Sequence, residues 1–82
     1  VERVIVEREF DVPVDLEELV ERARRNALCY ELRNVTHVRT IVSNDGRRMI
    51  CEYDAPDAES VREANDLAGV PYLRVWTARR IG

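Results

Sequence analysis

Ser43–Asp57 reads SNDGRRMICEYDAPD, and its parsing decides the fold. Asn44, Asp45 and Gly46 form a strong hairpin signal, because glycine supplies a positive φ at no steric cost. Residues 47–53, RRMICEY, then read as the returning strand of that hairpin. Pro56 and Asp57 open a helix. A strand thus lies between a tight turn and a helix start, with Cys51 at its centre.

Working outward gives the remaining elements. Residues 36–43, THVRTIVS, are rich in β-branched side chains and read as the strand entering the hairpin. Residues 3–10, RVIVEREF, read as an opening strand on the same grounds. Val12, Pro13 and Val14 interrupt it. Asp15 then looks like an N-cap, with Glu18 three residues on as its capping-box partner. Leu16, Leu19, Val20, Ala23, Ala27 and Tyr30 follow as one apolar stripe at helical spacing, and Cys29 falls off it. Beyond Asp57, a second helix presents Val61, Ala64, Leu67 and Ala68 on or near its inner face. Gly69 and Pro71 stop that helix. Residues 72–80 read as a last strand. The order β-α-β-β-α-β predicts an α+β, ferredoxin-like domain over 1–82, a four-stranded antiparallel sheet with both helices on one face.

Such a sheet leaves its other face open. Ile5, Ile41, Met49 or Ile50, and Trp76 cannot all lie beneath two helices, since alternate strand residues point away from each other. A chain of 82 residues buries only roughly 60–65% of its unfolded surface, so its core is thin. A large apolar patch on such a chain marks an interface. The expectation is a homodimer joined through the open sheet face.

Composition excludes several function classes. All thirteen basic residues are arginine, and the net charge is −3. The pairs Arg24–Arg25, Arg47–Arg48 and Arg79–Arg80 are interspersed with acids. No basic stripe forms, so nucleic acid is not an expected partner. No apolar run reaches about 18 residues, so no membrane span is expected, and no signal-peptide pattern is present. Two cysteines, Cys29 and Cys51, lack C-x-x-C spacing. A reduced, cytoplasmic setting is expected.

The candidate chemistry is sparse. Nucleotide-binding and hydrolase motifs are missing, and His37 is the only histidine. Cys51 and His37 carry donors that suit nickel, zinc or copper. Whether they meet depends on the hairpin. With Asp45–Gly46 as the loop, Cys51 pairs with Thr40 and faces away from His37. With Asn44–Asp45–Gly46, it pairs with Arg39 and shares a face with His37, Ile41, Met49 and Tyr53. A one-residue slip flips every side chain. Amphipathicity favours the shorter loop, gathering Val38, Val42, Met49, Cys51 and Tyr53. The plain alternative is a buried, inert cysteine. Glu7 and Glu9 alternate with Ile5 on the first strand. A carboxylate facing an interface needs a partner, and Arg39, Arg74 and Arg48 are the candidates. Glu7 is otherwise a general base or a metal ligand.

Three stretches also resemble a bacterial family of small ferredoxin-like proteins of formerly unknown function, related to nickel-responsive, nickel-binding homodimers. They are VIVEREF (Val4–Phe10), VSNDGRRMICEYDAPDAESVREA (Val42–Ala64) and AGVP (Ala68–Pro71). The likeness spans nearly the whole chain. VEREF and CEYDAP are its most specific parts. The resemblance implies a site on the open sheet face around Glu7 and Cys51, with nickel or another transition metal as cofactor. Together with His37, these are the expected metal residues. Two departures weaken that site. Many members carry Trp-x-His-Ser-Tyr in the second strand, where this chain has HVRTI (His37–Ile41); Arg39 stands at the family's histidine and His37 at its tryptophan. Ala64 stands where many members have a histidine. Since the family's cysteine faces the open side, the resemblance selects the three-residue loop. Cys51 is then expected beside Arg39, with His37 and Glu7 on its face.

The implied function is a small dimeric ligand- or metal-binding protein. One alternative is a dimeric α+β barrel enzyme, of isomerase or cofactor-free oxygenase type, using Glu7 or His37 as acid or base. Another is a structural or interaction module.

Overall fold

Along β1 (Glu2–Glu9), Val4, Val6 and Arg8 alternate with Ile5, Glu7 and Glu9. That alternation sets the two faces of the sheet in a computed structural model that describes residues 1–82. β1 runs antiparallel to β3 (Arg48–Ala55) on one side and to β4 (Arg74–Ala78) on the other. β2 (Thr36–Val42) pairs with β3, so the strand order is β2-β3-β1-β4. The fold is the expected α+β, ferredoxin-like one.

One face of the sheet carries the core. Val4, Val6, Met49, Cys51, Tyr53, Ala55 and Val75 are buried there together with Val61 and Ala64. The last two come from α3 (Ala58–Ala68). Burying a valine of this kind fully stabilises the fold by about 1.5–3 kcal/mol. Local chemistry sets the ends of α3. The Asp57 carboxylate accepts from the Ser60 backbone N–H at 2.7 Å, and Gly69 ends the helix at φ 69°. Leu67, expected on the inner face, is exposed, whereas Asn65 is fully buried.

The first helical region is two helices where the periodicity predicts one. α1 spans Leu16–Arg25 and α2 spans Ala27–Glu31. Asn26 divides them, with its side-chain amide donating back to the Arg22 carbonyl at 2.9 Å. A side chain that bonds nearby backbone competes with helix continuation. Asp15 caps α1 by accepting from the N–H groups of Glu17 and Glu18. Glu18 completes no capping box; its carboxylate pairs with Arg22.

The hairpin corrects the expected register. Val42 pairs with Met49, Ile41 with Ile50, Thr40 with Cys51 and Arg39 with Glu52. This is the register of the shorter loop, so the three-residue loop is not formed. The Ser43 N–H bonds the Arg48 carbonyl at 2.9 Å. The Asp45 carboxylate accepts from the Ser43 hydroxyl and the Arg47 N–H, and it bridges the turn. Gly46 takes φ 73°, and a Cβ there would come within 3.2 Å of the Pro13 Cβ. The β1–α1 connection packs against the hairpin at that point. Further along β2, the register shifts between His37 and Arg39, and His37 pairs with Tyr53. A bulge at Val38 thus supplies the residue that the turn does not.

Candidate functional site

Arg8 has the same strand parity as Val4 and Val6, and it follows them into the core. It is only 4% exposed. Its Nη1 donates to the Pro71 carbonyl at 2.9 Å. Its Nη2 donates to Asn65 Oδ1 at 2.7 Å and to the Tyr53 hydroxyl at 3.4 Å. All three acceptors are neutral. A buried guanidinium without a carboxylate is unusual, because burial of an unpaired charge is costly.

The surrounding groups form a connected network. The Tyr30 hydroxyl donates to the same Asn65 oxygen at 3.0 Å. Asn65 Nδ2 donates to the Val61 carbonyl at 2.7 Å, which orients the amide. The rings of Tyr30 and Tyr53 stack with centroids 5.7 Å apart. Burial works against the charge of Arg8, but Tyr53, then Cys51, then Tyr30 outweigh it, and the proton is held more firmly than usual. Burial also pushes the phenols of Tyr53 and Tyr30 up, with Arg8 acting in the opposite direction.

Cys51 lies in this core, beneath the helices. That corrects the expectation that it faces the open side beside Arg39. The reason is the hairpin register, which gives Cys51 the parity of Val6 and not of Glu7. His37 nevertheless comes close to it, because the Val38 bulge turns the imidazole onto the face of Tyr53. The two rings meet edge-on at 5.7 Å. His37 Nε2 lies 2.7 Å from Thr40 Oγ1. The Thr40 hydroxyl in turn donates to Cys51 Sγ at 3.6 Å. A line of imidazole, hydroxyl and thiol therefore runs from the exposed edge strand into the core.

Glu7 is on the other face. It accepts from the Trp76 indole N–H at 2.7 Å and lies 3.7 Å from Arg74. Of the three proposed partners for a carboxylate here, Arg74 is the one that reaches Glu7. Arg3 and Arg39 both pair with Glu52, at 2.9 and 3.3 Å, and Arg3 also holds Asp54 at 3.0 Å. Around these ion pairs, Ile41, Ile50 and Trp76 stay exposed.

These positions decide what a metal would find. Cys51 and His37 share one side of the sheet, with the Thr40 hydroxyl between them, and Glu7 is on the opposite side. No three of the His, Cys, Asp and Glu side chains converge as donors. Two borderline donors make half of a transition-metal site, so the residues present do not fit a complete nickel centre. The sequence reading missed Arg8, Tyr30 and Asn65. The available signals were the strand parity of Arg8 and the i+4 spacing of Asn65 from Val61.

Comparison with known proteins adds the following. A family model described as nickel responsive protein SCO4226-like matches residues 5–77. The crystal structure of SCO4226 from Streptomyces coelicolor A3(2) is similar in fold, with a TM-score of 0.84. It is 12% identical, and the match covers 98% of this chain and 99% of that one. At that identity the likeness speaks for the fold. No curated protein matches the chain. No helix is long and apolar enough to cross a membrane.

Proposed function

The chain belongs to the SCO4226-like nickel responsive protein family, and we infer that it works as a homodimeric binding protein that meets nickel weakly, through His37 and Cys51. The observation that carries the metal reading is the His37–Thr40–Cys51 line. It offers one imidazole and one thiol, already occupied with a hydroxyl, and no third donor. Weak binding follows from the donor count. Glu7 takes no part in it and serves the dimer face.

The dimer reading rests on the open sheet. Ile41 and Trp76 are 54% and 44% exposed in its plane, and the nearby Glu7, Glu52 and Asp54 are already tied into ion pairs. Covering them removes apolar surface from water at little further cost in stripped charge. The molecule is a slab, 32 × 32 × 18 Å. Its broad side is wide enough for the roughly 800 Å² per partner of a standard interface.

Titration calorimetry with Ni²⁺ on protein purified without a histidine tag tests the metal reading. Heat that fails to saturate in the micromolar range, and that vanishes in His37→Ala, supports it. Stoichiometric submicromolar binding, or weak binding that survives His37→Ala, overturns it.

A further inference from the structure

We propose that Trp76 of each subunit is the knob of the dimer interface, and that its hole is the groove beside Glu9 on the partner's open sheet face. The proposal rests on the dimer reading above and specifies how the two faces lock. The groove encloses about 240 Å³ and is bordered by Glu7, Glu9, Arg48, Ile41, Ile50 and Leu73. Its apolar members come from three places: β2, β3 and the approach to β4. Ser43 and the core-side Arg8 and Met49 complete its lining. A flat aromatic side chain on a facing sheet suits such a space.

Trp76 is set up for that role. It is partly exposed, and its ring is anchored through the indole N–H to Glu7. An aromatic held in one orientation before association loses little freedom on binding, and tryptophan is enriched at interface hot spots. Glu7 both anchors the indole and borders the groove. Knob and hole therefore keep a fixed spacing on each face.

Charge points to a second copy as the occupant. Glu9 and Arg48 are register partners on the open face. Neither appears in any of the chain's ion pairs. In a two-fold contact the same patch meets itself, so residue i meets j and j meets i. Glu9 can then meet Arg48 of the partner copy twice over. The face carries one free charge of each sign beside one knob and one hole, which is what a copy of itself would satisfy. A partner of strong net charge would leave one of the two unanswered.

Trp76 is the chain's only tryptophan, so its emission reports on the knob directly. The experiment follows molar mass by light scattering and emission with acrylamide quenching over one dilution series. The expected result is that Trp76 turns bluer and less quenchable as mass doubles. Ile41→Glu, which keeps the reporter and changes only the groove, should weaken the dimer about tenfold or more and return the emission to its exposed form. A dimer that forms with no change in Trp76 emission overturns the knob and leaves the dimer reading standing. An Ile41→Glu protein that dimerises like the parent overturns the hole. A chain that stays monomeric overturns both readings together.

Discussion

Asn65→Leu should be among the most damaging single changes in this chain, although leucine is a better helix former and has similar bulk. In the parent, Asn65 Oδ1 accepts from the buried Arg8 guanidinium at 2.7 Å and from the Tyr30 hydroxyl at 3.0 Å. Leucine removes the one oxygen that accepts both bonds. Arg8 Nη2 would keep only its longer contact to Tyr53, at 3.4 Å. Losing a hydrogen bond to a charged group costs about 1.5–3 kcal/mol, and orphaning a buried hydroxyl about 1–3 kcal/mol more. The sum is about 2.5–6 kcal/mol. A chain of this length has a total stability of roughly 4–12 kcal/mol at about 0.05–0.15 kcal/mol per residue. Asn65→Asp provides the contrast. Its carboxylate keeps both acceptor roles and gives Arg8 the counter-charge that it lacks. The Val61 carbonyl loses a side-chain donor but stays within the helix ladder. The Asp variant should lie within about 1 kcal/mol of the parent at neutral pH. Arg8 favours the charged carboxylate, so this support is present above about pH 4 and is lost as pH falls below it. Urea unfolding followed by circular dichroism, at one protein concentration for all three proteins, measures the differences. An Asn65→Leu protein within about 1 kcal/mol of the parent would refute the reasoning. So would an Asp variant less stable than the Leu variant.

Burial holds the Tyr53 phenol above its ordinary value. A raised group stabilises the fold fully below its unfolded value, and that support fades as pH rises beyond about 10. Tyr53→Phe should therefore flatten the alkaline loss of stability, and a loss as steep as the parent's would contradict the assignment. The Ser60 N–H and then its hydroxyl hold Asp57 below the usual carboxylate range. Asp57→Ala should lower the urea midpoint at neutral pH, and its deficit should begin to shrink as pH falls below about 4 and close only once the lowered carboxylate has taken its proton; a deficit unchanged by pH would count against the cap. Cys51 is guarded by the core and not by the dimer. In a Cys29→Ser background its timed alkylation should be slow and no faster after Trp76→Arg. An acceleration in that variant would mean that the open face does reach the thiol.

Element order was legible because it is written in local chemistry. The turn at Asn44–Gly46, the cap at Asp57 and the stop at Gly69–Pro71 act within a few residues of chain. The break at Asn26 was not legible, because Ala23, Ala27 and Tyr30 continue the apolar spacing straight across it. The hairpin register was half legible. Polar alternation pointed to the pairing of Thr40 with Cys51, as found, whereas family likeness pointed the other way. Neither showed the Val38 bulge, which changes one strand's parity without marking its composition. Arg8 illustrates a different failure. Its parity with Val4 and Val6 was visible, but an arginine on a strand is ordinarily read as solvated. The neutral acceptors that let it enter the core come from residues 53, 65 and 71. Only the folded chain brings them together.

The claim on which the functional reading depends most is that the open sheet face binds a second copy of the chain. Light scattering on untagged protein at micromolar concentration tests it most directly. The account predicts a mass of twice the 9.5 kDa chain, falling to the single-chain value on dilution and falling sooner in Trp76→Arg. A mass that stays at 9.5 kDa throughout the accessible concentration range would contradict it.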